Sequence, residues 1–141
     1  MHLKILSYNW HEPYLCLLSK LGYTFLIVEP EISEGNYRRW DKNMRPIPEN
    51  VILVSEKEAI AQLEEGALDL VIAHNIKDLV NIYEYSLPKI LVFHNKLSTE
   101  IKLGNNKVNR EDYLKTINPL LVNVKKIFIS ESKRRDWGMT G

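Results

Sequence analysis

A chain of 141 residues, 45% of them hydrophobic and 26% charged, can bury one core without disulfide or metal staples, so a single compact domain spanning residues 1–141 is expected. Lys+Arg 19 against Asp+Glu 18 leave a formal charge of +1, which provides no sequence-wide field to attract nucleic acid, and no nucleic-acid partner is expected. The single Cys16 excludes an internal disulfide and any paired-cysteine motif, and no uncharged apolar run approaches the roughly 18 residues of a membrane span; a cytoplasmic protein is expected, with peripheral membrane contact through a helix face left open.

Leu3 to Tyr8 has strand character, and Tyr14, Leu17, Leu18 and Leu21 then recur at helical spacing behind Pro13, with Gly22 as the left-handed stop. Thr24 to Val28 is a near-continuous apolar strand of the kind covered on both faces in a parallel sheet, and Pro30 ends it. Glu31 to Asn50 is a connection of about twenty residues, long for an α/β loop and expected to be mobile or functional. Val51 to Val54 restores the strand pattern. Ser55-Glu56-Lys57-Glu58 is a capping box opening a helix that carries Ile60 and Leu63 and closes at Gly66. Leu70 to Ala73 is the next strand; Asn75 caps a helix running to Tyr83, and Pro88 precedes the strand Ile90 to Phe93. Ser98 to Leu103 and Asn109 to Leu121 read as helical, split by Gly104-Asn105-Asn106, before a strand at 126–129 and a last helical turn from Ser132 to Trp137.

Six strands separated by helices predict an α/β fold with a doubly wound, parallel six-stranded sheet, Rossmann-like, in the order 3-2-1-4-5-6. Ligands in such sheets bind at the carboxyl ends of the strands. The residues standing there are Asn9, Trp10, His11 and Glu12; His74 and Asn75; His94 and Asn95; Ser130 and Glu131. An imidazole in that position can hydrogen-bond a hydroxyl or act as a general base, or it can be a polar residue satisfied at a helix N-terminus. If His11, His74 and His94 line an open crevice, they should be partly exposed. His11, Glu12, His74 and His94 are suitable metal donors by type, but no pair has the i, i+4 spacing of HExxH, and no metal is expected.

The first loop lacks both GxGxxG and a glycine-lysine phosphate loop, which removes the nicotinamide and P-loop nucleotide readings, and no cofactor is expected. Ser130 and Ser132 lack a nucleophile elbow. In the long loop, Arg38, Arg39, Trp40 and Arg45 could grip phosphate and stack on a sugar or base, or the arginines could pair with Glu29, Glu31 or Glu34. Arg38 and Arg45 are the phosphate-binding candidates. Cys16 reads as a small core residue.

The stretch Leu91-Val92-Phe93-His94-Asn95-Lys96-Leu97-Ser98-Thr99-Glu100, followed by Ile127-Phe128-Ile129-Ser130-Glu131-Ser132-Lys133-Arg134-Arg135-Asp136-Trp137, resembles the end of the N-terminal domain in GT-B glycosyltransferases of the retaining, group 1 type. His74-Asn75 resembles the histidine after the preceding strand in that family, and Leu18 to Val28 resembles its first helix and second strand. The resemblance implies the acceptor-side, Rossmann-like half of a two-domain enzyme that moves a sugar from a nucleotide-diphosphate sugar to an acceptor. It implies that His94 faces the transferred sugar as the catalytic position. By the same resemblance His11, Glu12, His74, Asn75, Asn95, Ser130 and Glu131 would contact acceptor or sugar. The Gly-Gly turn common in the family's first loop is replaced by Trp10-His11-Glu12-Pro13, and the donor-binding domain would begin after Gly141. The chain is therefore expected to be inactive alone. A reading of another class is a non-catalytic α/β module binding a small polar ligand or a protein partner at the same strand ends.

Overall fold

The computed structural model describes residues 3–9, 12–30, 39–41, 43, 46–94, 97, 101 and 109–138, the side chains of residues 12 and 13 excepted. His11, Asn95, Arg38 and Arg45, most of the 31–45 stretch, and all of the helix expected at 98–103 except residue 101 lie outside the described residues, as does the side chain of Glu12.

Six strands form one all-parallel sheet flanked by helices: β1 (Lys4–Tyr8), β2 (Thr24–Val28), β3 (Val51–Val54), β4 (Leu70–Ala73), β5 (Lys89–Phe93) and β6 (Val124–Phe128). Their order is β3-β2-β1-β4-β5-β6, the doubly wound arrangement expected from the alternation of strands and helices. β2 is buried from Phe25 through Val28, which is why its sequence lacks a polar face. The last strand begins two residues earlier than the apolar run suggests. Asn123 adopts a left-handed backbone (φ 63°), a conformation an Asn side chain tolerates, and it turns the chain into the strand at Val124.

The chain divides into two compact units, Met1–Val71 and Ile72–Gly141. In the first, α1 (Glu12–Ser19) ends before Gly22, whose φ of +82° makes the left-handed turn toward β2. Among the described side chains of this helix Leu15 and Ser19 are buried, whereas Leu17 and, just beyond the helix, Leu21 are exposed and Cys16 is half-buried. The expected apolar face was misplaced because Tyr14 to Leu18 is apolar on every side, so periodicity could not select a face. α2 (Glu56–Glu65) carries the full capping box: the Glu58 N–H donates to Ser55 Oγ at 3.1 Å, and the Glu58 carboxylate accepts the Ser55 N–H. Gly66 closes it with φ 71°. Ala59 and Leu63 are buried, and Ile60 is exposed.

Trp40, read from sequence as a stacking platform, is a core side chain, 5% exposed. Glu29, just after β2, accepts the Trp40 N–H at 2.9 Å and meets Arg39 at 3.5 Å. The middle of the long connection is thus tied back to the residue that follows β2. Asn50 does similar work at the end of the connection, where its Nδ2 donates to the carbonyls of Ser19 (2.6 Å) and Tyr23 (2.8 Å). It satisfies the C-terminus of α1 and aligns the entry into β3. Asn50→Ala should therefore cost about 1–2 kcal/mol, seen as a lowered urea midpoint with an unchanged slope. A midpoint equal to the parent's would show that water replaces both bonds at no cost.

In the second unit, α3 (Ile76–Ile82) follows β4, α4 (Arg110–Ile117) continues into a 3-10 turn at Asn118–Leu121 containing Pro119, and α5 (Glu131–Trp137) follows β6. Pro119 cannot donate the backbone bond an α-helix would need, so the helix expected through Leu121 tightens there. The core of this unit is mostly aliphatic, from Ile72, Leu79, Leu91 and Leu97 among others, with an aromatic group at the end of β5. Phe93 and Phe128, register partners on β5 and β6, stack at 4.3 Å, and Trp137 meets Phe93 edge-on at 4.7 Å. Among the described residues no helix is long and apolar enough to cross a membrane.

Candidate functional site

β4 and β5 are neighbours in the sheet, and each ends directly in a histidine. Adjacent parallel strands lie about 4.8 Å apart, so residues emerging from their carboxyl ends come within side-chain reach. His74 and His94 meet there: His74 Nδ1 and His94 Nε2 are 3.1 Å apart, with ring centroids at 5.2 Å and planes tilted by 43°. His74 is sealed, 1% exposed, and His94 is half-buried. The expectation of partial exposure thus fits His94 and not His74, which lies behind its partner as a support.

A hydrogen bond between two imidazole nitrogens requires a proton on one and a lone pair on the other. Both rings cannot be imidazolium while that bond persists, because two N–H groups would then face each other. The pair can hold one extra proton and share it across the bond. Chemically, this is a base whose reachable member is His94 and whose charged form is stabilised from behind by a neutral ring.

The backbone at the end of β4 is fixed by a residue that the sequence reading missed. Asp78 is fully buried, and its Oδ2 accepts the His74 N–H at 3.0 Å while its own N–H donates to Asn75 Oδ1 at 2.8 Å. Asn75 is the N-cap of α3. The two side chains form a reciprocal clamp over the helix start, displaced by one residue from the usual capping box because the carboxylate reaches the residue before the cap. The spacing Asn-x-x-Asp was visible in the sequence and could have signalled it. Phe93, held between Phe128 and Trp137, fixes the backbone immediately before His94 in the same way.

Among the described residues, three further candidates at strand ends take part in local structure. Asn75 is committed to its cap. Ser130 caps α5, accepting the Lys133 N–H at 3.2 Å. Glu131 is exposed and bonded to Arg134, with Arg135 at 3.5 Å; the Arg134 hydrogen bond is the main reason its carboxyl is held below the ordinary range. Among the described residues no group of three histidine, cysteine or acidic side chains is placed to hold a metal ion. The chain matches no protein-family model, no curated protein and no solved structure.

Proposed function

We propose that this chain is the acceptor-side, Rossmann-like domain of a glycosyltransferase, acting in the cytoplasm together with a donor-binding domain rather than alone. The observation that carries the reading is the imidazole pair at the carboxyl ends of two neighbouring parallel strands. A sugar acceptor presents hydroxyls that need an acceptor for their proton, and His94 is the reachable ring of a pair suited to take one. The position of His94 after β5, with a polar, serine-capped helix after β6, is also where the resemblance to retaining GT-B enzymes would put a sugar-facing histidine. The nucleotide-diphosphate sugar would be bound mainly by the other domain.

The test is to follow the two ring systems by nitrogen-15 NMR while adding a panel of hexoses and polyols, and separately UDP-glucose. Acceptor-type ligands should shift the His94 and His74 ring signals more than the donor does. His94→Ala should weaken their binding by roughly 0.5–1.5 kcal/mol, about 2- to 13-fold, while the amide spectrum stays folded. If no carbohydrate moves the rings, the transferase reading fails. If a small polar non-carbohydrate moves them instead, the chain is a non-catalytic binding module.

A further inference from the structure

Three residues beyond His94 the chain is fastened from a distance. The N–H of Leu97, whose side chain is completely buried, donates to Asp136 Oδ2 at 2.7 Å across a separation of 39 residues. The second carboxylate oxygen of Asp136 meets Arg110 Nη1 at 3.3 Å, and Arg110 also donates to the Asp136 carbonyl. One short carboxylate therefore joins the segment leaving β5 to α5 and to the first residue of α4. Its neighbour Trp137 packs on Phe93 from the other side of the histidine in sequence. Consecutive residues of α5 thus hold a residue on each side of His94 in sequence: Trp137 packs on Phe93 through its ring, and Asp136 receives the Leu97 N–H in a charge-assisted hydrogen bond.

We propose that Asp136 is a positioning residue for His94, setting the reach of its ring toward His74 and toward a ligand. The inference rests on reading His94 as the ligand-facing group, but its consequence appears without any ligand. If residue 97 is released, the segment gains freedom next to a hydrogen bond that depends strongly on distance and angle, and the imidazole pair should separate part of the time.

The experiment reads the through-bond nitrogen–nitrogen coupling between the His74 and His94 rings in nitrogen-15-labelled protein, at a pH where the pair holds its single shared proton. Asp136→Ala should lose that coupling and broaden the His94 ring signals. Asp136→Asn, which retains an acceptor for the Leu97 N–H, should keep the coupling. So should Arg110→Ala, which leaves the Leu97 bond in place. Coupling that survives in Asp136→Ala, or that is lost equally in Arg110→Ala, would overturn the proposal and leave Asp136 as part of the general packing. Should Asp136→Ala fail to fold, Asp136→Glu decides: its longer side chain moves the carboxylate while keeping its charge beside Arg110, and an undiminished coupling there would also overturn it. Failure of carbohydrate to bind, by contrast, would leave these outcomes untouched.

Discussion

Trp137→Ala should lower the unfolding free energy by about 3–5 kcal/mol, the range for truncating a buried large aromatic side chain. The ring is 2% exposed and edge-on to Phe93, which itself stacks on Phe128, so its removal leaves a cavity bordered by rigid rings that collapse poorly into it. Against a total of about 5–15 kcal/mol for an ordinary domain, the loss is large. Trp137→Phe keeps an aromatic edge against Phe93 and should cost clearly less. Urea titration followed by far-ultraviolet circular dichroism measures both variants. A loss below about 1 kcal/mol for the alanine variant would place it among ordinary surface changes and show that α5 contributes little to the core beneath His94.

The second large effect is expected at Asp78. Asp78→Ala removes the acceptor of the His74 N–H in a place water does not reach, and a buried donor left unpaired costs about 1–3 kcal/mol. Asp78→Asn retains an oxygen for that N–H and should recover most of the loss. Hydrogen exchange at the His74 amide is the direct readout: it should accelerate strongly in the alanine variant and only modestly in the asparagine one. An amide equally protected in all three proteins would mean that another group holds the end of β4.

The contrast between these residues shows what the sequence could reveal. The six-stranded parallel sheet and its order were legible because each strand is a short apolar run bounded by a helix signal, as with Ser55 and Glu58 at α2 or Asn75 at α3. The meeting of His74 and His94 was legible too, since both follow strands that the predicted order makes neighbours. The burial of His74 was not, because nothing local distinguishes a histidine facing a crevice from one standing behind another. Trp40 was misread for a related reason: its sequence neighbours are polar and cationic, while the carboxylate that anchors its backbone, Glu29, is eleven positions away. Asp136 left no local sign at all, its partner being Leu97. The fold follows largely from local patterns. The fastening of the candidate site depends on hydrogen bonds between residues distant in the chain.

The central place of β1 bears on how the protein is made. Lys4–Tyr8 pairs with β2 on one side, but its other neighbour is β4, where Ile5 lies opposite Leu70 and the Lys4 N–H is received by Asp69. During synthesis the second edge of the innermost strand must wait for residues 65 positions further on, about 3–13 s at roughly 5–20 residues per second. Over that interval Ile5 to Tyr8, a run buried in the finished sheet, presents unpaired backbone groups to whatever lies near the ribosome. Along this edge the nascent chain is exposed to wrong strand pairing until β4 is made.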